Sequence, residues 1–475
     1  MTAMSINRAR PWGSDSPRVV VIGGGLAGMA AAIALESAGL GVTLVESRRS
    51  LGGRAGSFED PQSGEQLDNS QHVLLGCCTN LIDFYRRLGV PDRIRFNRDI
   101  RFRDCGGREY RLSGLDALPA PLHLAPSLLR FGALTMREKI SLGRAMVAMM
   151  RLGRPGREAL SDVSFGDWLD EHRQEPSLIE KLYDPLLIGS LNELTRRASA
   201  KYAIQVFQDA MLANSRGYVL GLPTCPLGRL YEGFSCRDLR LGVRVTELQF
   251  AEGAISAARL STGEVLAADL VVIATSHQSL RRLVPEEVLR RDERFAGLGG
   301  LEAVPILGAH LWFDRPVMSG SHAAMLSEPL QWVFRKDREG RCIRAVISAA
   351  RQWLDVPREQ ALLQFQRQIH CVFPRAAGAK LERAVVLMEK RATFAPVPGV
   401  DRLRPPQAPP SEGIRNLILA GDYTQTNWPA TMEGAVRSGY LAAEEVLRAV
   451  GRAPRRRFLA PDLPMQLAAR ILSGT

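Results

Sequence analysis

The sequence predicts an α/β protein in which a parallel sheet is assembled from separated parts of the chain, with an α+β region inserted between them. Three apolar runs, at 19–22, 269–275 and 416–420, have the length and the β-branched content of buried strands. The first run leads into a glycine-rich turn and an alanine-rich helix, and the last into a tight turn and a helix over 431–446. Short strands with turns from 241 onwards indicate a β-meander that rejoins the sheet.

The first turn carries the glycine spacing of a dinucleotide-binding strand, turn and helix. Gly23 makes the tight turn, Gly25 lets the backbone approach a pyrophosphate, and Gly28 lets the helix pack close to the sheet. The N-terminus of the helix then directs unpaired N–H groups at the phosphates. Glu46 ends the next strand, where its carboxylate would accept hydrogen bonds from both ribose hydroxyls of an adenosine. The stretch therefore predicts binding of an adenine dinucleotide without a 2′-phosphate.

Two further motifs select the dinucleotide. Gly52-Gly53 and Arg54 follow the strand that ends in the acid, and this second glycine pair resembles FAD enzymes of the amine oxidase and phytoene desaturase superfamily. Near the C-terminus, Asp422 follows a buried strand, where its carboxylate would meet the ribityl hydroxyls of a flavin. Thr431 starts a helix whose N–H groups can face the flavin edge that becomes negative on reduction. The cofactor is therefore predicted to be FAD, in an extended conformation.

The predicted binding residues follow from these motifs. They are Gly23, Gly25, Leu26, Ala27, Gly28, Glu46, Gly53, Arg54, Val243, Gly421, Asp422, Thr431 and Met432. No metal is expected, because the seven cysteines show neither a C-x-x-C pair nor a companion histidine spacing. The odd cysteine count also predicts a reduced, cytoplasmic protein.

The predicted domain organisation is discontinuous. Residues 15–100, 222–290 and 405–450 form a Rossmann-like FAD-binding domain of the glutathione reductase type, while 101–221 and 291–404 form the helical and β-rich parts of a substrate-binding domain. Residues 1–14 are predicted to be a disordered leader and 451–475 a basic and apolar tail.

The charge balance is basic, with a formal net charge of +12. Such a surface suggests a nucleic acid, an anionic membrane or an anionic substrate. Nucleic acid is not expected as a partner, because the arginines are scattered and no aromatic binding motif accompanies them. Hydrophobic residues make up 45% of the chain, as in ordinary globular proteins.

A helix is predicted from Thr135, which opens a capping box with Glu138, to Gly153. Apolar residues recur along it at helical spacing, with arginines and a lysine among them. Two interpretations remain open. The helix is either a core helix with solvated charges, or the apolar, basic-rimmed entrance of a protein that rests on an anionic membrane.

The chain as a whole resembles the squalene-associated FAD-dependent family, the hydroxysqualene dehydroxylases of squalene and hopanoid biosynthesis. The residues that carry the resemblance are Gly23 to Gly28, Glu46, Gly52 to Arg54, Asp68 to Gly76, Leu191-Asn192, Pro305 to Asp314, Lys390 to Phe394, and Ala420 to Gly439. The chain departs from the family pattern at Glu193, where a small or hydroxyl-bearing residue is expected in the substrate wall.

The resemblance implies reductive removal of a hydroxyl group from a C30 isoprenoid, in which hydride from reduced flavin N5 replaces the hydroxyl of hydroxysqualene and gives squalene. His72 is the candidate proton donor for the departing oxygen, with Asp68 and Gln71 as its support. His310, in an apolar strand, is expected to be structural. No second dinucleotide fingerprint for NADPH is present, so the electron donor stays open.

Two alternatives also stay open. One is a carotenoid or squalene desaturase on the same fold, in which hydride moves from the substrate to oxidised flavin. The other is a flavin-free prenyl-lipid carrier of the Rab escort type. A water-insoluble substrate and the basic cluster at 452–457 favour a cytoplasmic protein in peripheral contact with the inner face of the cytoplasmic membrane.

Overall fold

The computed structural model describes residues 17–326, 329–453 and 457–474, so the predicted leader lies outside the described residues. The strands are β1 (Val19–Ile22), β2 (Val42–Glu46), β3 (Ser57–Glu59), β4 (Gln66–Asp68), β5 (Leu74–Leu75), β6 (Ile94–Asn97), β7 (Asp99–Arg103), β8 (Glu109–Ser113), β9 (Leu220–Pro223), β10 (Asp238–Leu241), β11 (Val245–Ala251), β12 (Ala254–Leu260), β13 (Val265–Ala267), β14 (Leu270–Ile273), β15 (Ala303–Phe313), β16 (His322–Met325), β17 (Trp332–Arg335), β18 (Cys342–Ile347), β19 (Leu381–Phe394) and β20 (Leu417–Leu419).

The α-helices are interspersed among these strands along the sequence. They are α1 (Leu26–Ser37), α2 (Thr79–Arg87), α3 (Ala125–Arg130), α4 (Met136–Glu158), α5 (Phe165–Glu171), α6 (Pro176–Leu178), α7 (Asp184–Leu191), α8 (Ala200–Gln205), α9 (His277–Leu283), α10 (Glu286–Arg291), α11 (Arg358–Val372), α12 (Met432–Ala449) and α13 (Leu467–Ser473). The helix-rich stretch from α3 to α8 separates the first strands of the nucleotide sheet from the later ones.

The predicted parallel sheet is confirmed, with the strand order β10-β2-β1-β14-β20. Every neighbouring pair is parallel. Both β1 and β14 are buried along their whole length, which explains their uninterrupted apolar sequences. The β-meander is present as the antiparallel sheet β11-β12-β13. These strands fall inside the segments assigned to the FAD-binding domain, and the boundaries of the domains stay predictions.

Helices α1 and α12 bring the two ends of the chain together on one face of this sheet. A Cβ added at Gly439 of α12 would lie 2.2 Å from the carbonyl oxygen of Ala27 in α1. Only glycine allows the two backbones to approach this closely. The first and last cofactor motifs therefore share one packed unit.

A second, seven-stranded sheet has the order β19-β15-β18-β17-β16-β7-β8. Its pairs are antiparallel except for β16 and β7. One face forms a hydrophobic core with α11, which contributes Phe365 and Ile369. The other face, towards β5 and β9, carries the residues discussed below as the substrate side.

The capping box that begins α4 is confirmed, because Thr135 Oγ1 accepts from Glu138 N and Glu138 Oε2 accepts from Thr135 N. The helix was predicted to end at Gly153. That residue does break the helical conformation, with φ of +57°, but helical turns resume after it and continue to Glu158. Pro155 suits this restart, because proline is tolerated in the first turn of a helix.

Most of the apolar stripe of α4 stays outside the core. Met136, Ile140 and Val147 are exposed, whereas Met150 at the end of the stripe is buried together with Met149 of the opposite face. Helix α4 is therefore a core helix, as one of the two interpretations expects, but it packs mainly through a different face. The interpretation as an entrance on a membrane stays a prediction. Helical periodicity identifies the residues that share a face, but it does not show which face the tertiary structure covers.

The expectation of a fully reduced chain is also wrong for one pair of cysteines. Cys105, in the turn between β7 and β8, forms a disulfide with Cys371 near the end of α11. The two residues are 266 positions apart in the sequence. Their contact depends on how α11 packs against the second sheet, and the spacing of cysteines in the sequence does not encode that packing. None of the described helices is long and apolar enough to cross a membrane.

Acid should destabilise the protein through its buried histidines. His123 is buried, neither of its ring nitrogens has a hydrogen-bond partner among the described residues, and burial lowers its pKa to about 4. The unfolded chain binds a proton near pH 6.5 that the folded chain does not bind until about pH 4. Stability is therefore lost as the pH falls through this window.

The substitution His123→Leu should weaken the pH dependence of the unfolding free energy between pH 6.5 and 4. The expected change in slope corresponds to up to about one bound proton. Denaturant unfolding monitored at several pH values would measure it. The exposed Leu363 provides a control, since Leu363→Ala removes no ionisable group and should leave the slope as it is. Equal slopes in all three proteins would contradict the assignment.

Candidate functional site

The glycine turn has the geometry that the predicted roles require. Gly23 has φ of +111°, and a Cβ there would lie 2.8 Å from the carbonyl oxygen of Ala274. A Cβ on Gly28 would lie 1.9 Å from the carbonyl oxygen of Gly23. Gly25, in contrast, has no atom within 4 Å of an added Cβ. The two outer glycines are therefore required by the protein's own packing, whereas the space at Gly25 fits an approaching pyrophosphate.

The carboxylate of Glu46 lies against the same turn. Its Oε2 accepts from Gly24 N at 2.7 Å, and its Oε1 accepts from Arg48 N at 2.7 Å. Val243, another predicted binding residue, donates its N–H to the carbonyl oxygen of Glu46 at 3.0 Å. Glu46, Val243 and the glycine turn are thus brought together at the end of β2, where the adenosine part of FAD is predicted to bind.

Arg54 and Asp422, which are far apart in the sequence, form an ion pair with Arg54 Nη2 2.6 Å from Asp422 Oδ1. Arg54 Nη1 also donates to the carbonyl oxygen of Ala392 on β19. Gly421 has φ of +141°, which turns the chain at the end of β20 and directs Asp422 towards Arg54. The structure therefore unites the second and third cofactor motifs.

The helix predicted to face the flavin begins at Met432, one residue after its cap. Thr431 Oγ1 accepts from Gly434 N at 3.1 Å, which is an N-cap hydrogen bond. No role was predicted for Glu433, which is fully buried. Its Oε1 accepts from Asn80 N and its Oε2 from Leu81 N, at 3.2 and 2.7 Å. Glu433 therefore joins the N-terminus of α12 to the N-terminus of α2.

His72 is half-buried, and its Nδ1 lies 2.9 Å from the carbonyl oxygen of Ser70. Burial, together with the positive charges of Arg344 and Arg54, lowers the pKa of His72 to about 4. At neutral pH the imidazole is uncharged, and hydrogen bonding to Ser70 places its proton on Nδ1. The predicted proton donor therefore has no proton on Nε2. Gln71 Oε1 is buried without a hydrogen-bond partner.

A buried ionic cluster surrounds Asp68. Its Oδ1 accepts from Ser57 Oγ and Leu227 N, both at 2.8 Å, while Lys336 Nζ lies 3.4 Å from Oδ2. Burial opposes ionisation of Asp68, but the charges of Lys336 and Arg344 hold its pKa below the usual range. Asp68 is therefore a charged anchor for the segment that carries His72.

Arg344 is the residue of this cluster that sequence reasoning missed. It is fully buried on β18, and its Nη2 donates to the carbonyl oxygen of Asp68 at 2.6 Å. His310 Nε2 lies 3.2 Å from the same oxygen, so its expected structural role fits. Within the described part of the chain, Arg344 Nε and Nη1 have no hydrogen-bond partner. Arg344 and Lys336 together exceed the charge of Asp68 by one positive unit.

Apolar side chains surround this cluster on the same face of the second sheet. The register places Arg344 opposite Phe334, and Val346 opposite Trp332. Phe334 and Val346 form a small hydrophobic cluster with Leu220 and other residues of β9. This face of the second sheet therefore combines an apolar wall with one cationic region.

The family-specific residues near Asn192 also meet in space. Asn192 has φ of +53° at the end of α7, and its Nδ2 donates to Thr393 Oγ1 at 2.9 Å. Glu193, where the chain departs from the family pattern, is fully buried in an ion pair with Arg351. The charge of Glu193 is therefore neutralised within the fold by Arg351.

The nucleotide-binding sheet, the open turn at Gly25 and the substrate-side sheet define a flavin-dependent oxidoreductase. Residues 26–447 match the family described as flavin containing amine oxidoreductase, and the chain belongs to that family. FAD is its cofactor, and the residues at the glycine turn fit that cofactor. The alternative of a flavin-free lipid carrier is therefore set aside.

Curated relatives match over nearly the whole chain. A 15-cis-phytoene desaturase of Synechococcus elongatus is 26% identical over 471 residues, which cover 92% of this chain and 98% of the relative. A zeta-carotene desaturase of Zea mays is 26% identical over 506 residues, which cover 94% and 86%.

Solved structures confirm the predicted fold class. An oxidoreductase from Methanosarcina mazei has a TM-score of 0.69 at 16% identity, covering 89% of this chain and 98% of that one. Putrescine oxidase bound to putrescine has a TM-score of 0.68 at 17% identity, covering 91% and 99%. At these identities the similarity shows the fold alone.

Proposed function

We propose that this protein removes the hydroxyl group of hydroxysqualene, or of a closely related C30 isoprenoid alcohol, and releases squalene and water. The observation that carries the proposal is the cationic region in the apolar wall. A hydrocarbon chain can pack against Trp332, Phe334 and Val346, but it offers no polar group to interact with a buried excess positive charge. A hydrocarbon substrate with a single hydroxyl group, which leaves as an anion or as water, would match both the apolar wall and the positive charge.

The reaction needs a hydride, a proton and an apolar site. When bound, reduced FAD supplies the hydride and is itself oxidised, so that one C–O bond breaks and one C–H bond forms. The protein must bind the chain, exclude water and protonate the departing oxygen. The positive charges of Arg344 and Lys336 favour departure of an oxygen that gains negative charge.

The proton source is assigned by charge state. His72 is uncharged at neutral pH and its single N–H is engaged by Ser70. The ion pair of Lys336 with Asp68 favours the protonated amine, while burial lowers the pKa of Lys336 from the ordinary value and makes it a stronger acid than an exposed lysine. We assign the proton to Lys336 and a positioning role to His72, in place of the donor role predicted for His72 from its sequence position.

An anaerobic assay tests the proposal. Protein with chemically reduced FAD should convert hydroxysqualene to squalene, detected by mass spectrometry. Lys336→Met should lower turnover at least tenfold with flavin content unchanged, as expected for loss of a general acid. Lys390→Met, at an exposed lysine on β19, is the matched control. Absence of squalene would refute the function. Loss of turnover with His72→Gln and not with Lys336→Met would refute only the assignment of the proton.

A second candidate function is desaturation of a carotenoid precursor, which the full-length similarity to phytoene and zeta-carotene desaturases favours. Oxidised protein with phytoene and an artificial electron acceptor would then form new conjugated double bonds, visible by absorbance. Formation of these products, with no squalene in the first assay, would replace the dehydroxylase proposal.

A further inference from the structure

The loop that carries Asp422 is held by a single buried side chain. We refer to residues 421–427, which lie between β20 and α12, as the flavin loop, because Asp422 is predicted to contact the ribityl group of FAD. The side chain of Arg404 is 1% exposed and lies against this loop. Its Nη2 donates to the carbonyl oxygen of Asp422 at 3.1 Å, to that of Thr424, and to Thr426 Oγ1 at 3.1 Å. One guanidinium group therefore contacts three alternate residues of the loop.

The residues that follow Arg404 add to this contact. Gln407 Nε2 donates to Thr424 Oγ1 at 3.0 Å and to the carbonyl oxygen of Gln425 at 2.7 Å. Gln425 donates its backbone N–H to the carbonyl oxygen of Pro405 at 2.9 Å. The middle of the flavin loop is therefore anchored on the segment 404–407.

Arg404 contacts Asp422 through the main chain and not through the carboxylate. The carboxylate of Asp422 pairs instead with Arg54. Both arginines also contact the end of β19, because Arg54 Nη1 donates to the carbonyl oxygen of Ala392 and Arg404 Cζ lies 5.1 Å from the ring centroid of Phe394. Arg404 can therefore fix the position of Asp422 without competing with a ligand for its carboxylate.

The positive charge of Arg404 is balanced within the protein. Arg404 Nη1 lies 3.3 Å from Asp401 Oδ1 and donates to the hydroxyl of Tyr202, which itself donates to Asp401. Lys201 Nζ lies 2.7 Å from Asp401 Oδ2 and also pairs with Glu158. Burial opposes ionisation of Asp401, but hydrogen bonds from Lys201 and Tyr202 hold its pKa below the usual range. The four charges of this network cancel, which fits a network that fixes geometry and not one that binds an anion.

The far end of this network lies in the helical region. Lys201 and Tyr202 are buried residues of α8, and Glu158 ends α4. Both helices belong to the helix-rich stretch that separates the first strands of the nucleotide sheet from the later ones. The flavin loop follows a strand of that sheet, but its anchor lies outside the sheet.

We propose that Arg404 is a positioning residue for FAD, which holds the flavin loop in the conformation that presents Asp422 to the cofactor and anchors this loop on α8. An arginine suits this role, because its planar guanidinium presents five N–H donors in a fixed arrangement. A lysine ammonium has only three donors and no fixed plane.

The substitution Arg404→Lys should raise the dissociation constant for FAD at least about tenfold, as expected for loss of a hydrogen bond to a charged group. The ammonium keeps the positive charge beside Asp401, but it has too few donors for all the acceptors of the guanidinium. Titration of the apoprotein with FAD would measure the affinity. The visible circular dichroism of the flavin at saturating FAD should also change, because the loop beside the bound flavin is displaced.

Thermal unfolding separates this role from a purely structural one. A residue that only stabilises the fold would lower the unfolding temperatures of the apoprotein and of the FAD-loaded protein equally, whereas Arg404→Lys should also reduce the stabilisation that FAD provides. Arg157→Lys is the matched control. Arg157 is another buried arginine, and its Nη1 donates to Gln208 and pairs with Asp209 within the helical region. This variant should leave the affinity for FAD and the flavin spectrum unchanged.

A milder pair of variants tests the same contact even if Arg404→Lys does not fold. Thr426→Val removes the hydroxyl that accepts from Arg404 at nearly constant volume, and Thr426→Ser keeps that hydroxyl. The affinity for FAD should fall with valine and recover with serine. Unchanged affinity in Arg404→Lys, an equal loss in Arg157→Lys, or equal affinities of the two Thr426 variants would overturn the proposal. None of these measurements uses a substrate, so their outcome is independent of the proposed reaction.

Discussion

Replacing Gly25 by alanine should lower the affinity for FAD at least tenfold, about 1.4 kcal/mol, and leave the apoprotein as stable as before. The reason is that protein atoms fill the space beside Gly23 and Gly28, whereas the space beside Gly25 is open. A methyl group at Gly25 meets no atom within 4 Å, and its φ of −75° suits alanine. Any loss must therefore come from the cofactor, whose pyrophosphate needs the room that the methyl group would fill.

The experiment compares flavin content, FAD titration and thermal unfolding of the apoprotein. Gly143→Ala is the matched control, because an added Cβ there also meets nothing within 4 Å and Gly143 lies in α4, away from the turn. Gly28→Ala should behave differently from both, since its Cβ would lie 1.9 Å from a carbonyl oxygen and would destabilise the apoprotein itself. Normal FAD affinity in Gly25→Ala would contradict the assigned approach of the pyrophosphate.

Removing the carboxylate of Glu433 should destabilise the protein by about 3–5 kcal/mol and reduce its flavin content. Glu433 is fully buried and accepts from two backbone N–H groups at the start of α2. It also pairs with Arg437, whose Nε lies 2.7 Å away. In Glu433→Ala these donors lose their acceptor, and the mostly buried guanidinium of Arg437 keeps only Asp462 as an ionic partner.

Chemical denaturation and flavin absorbance would measure both effects. Glu445→Ala, on the same helix, is the matched control, because Glu445 pairs with the exposed Arg448 at the surface. Such a pair contributes about 0–1 kcal/mol. Similar losses in the two variants would mean that the charge balance of α12, and not the connection to α2, determines its stability.

Local sequence was sufficient for the nucleotide half of the fold. The parallel strands and the positions of Gly23 and Gly28 were predicted correctly because the features that specify them lie within a few neighbouring residues. The pairing of Arg54 with Asp422 brings together two motifs that were each identified separately, although the contact itself was not visible in either. Their roles in binding FAD stay predictions that the substitutions above can test.

The contacts on the second sheet were harder to predict from the sequence, because they join strands that are far apart along the chain. Arg344 reaches Asp68 only through the pairing of β18 with β15 and β17, and nothing near Arg344 in the sequence marks it. Lys336 escaped notice for the same reason. On α4 the periodic stripe was recognised, but its exposure depends on which neighbours the other helices provide. Cys105 and Cys371 likewise meet only in the folded sheet.

The pairing of β1 with β14 and of α1 with α12 has a consequence for synthesis on the ribosome. The N-terminal strand and helix emerge first, yet β14, β20 and α12 are translated only much later. Until then the nascent sheet has open edges and α1 lacks the helix that packs against Ala27 and Ala30. The strands of the second sheet have all emerged once β19 is translated, before β20 and α12, so the cofactor pocket closes only after that sheet can form.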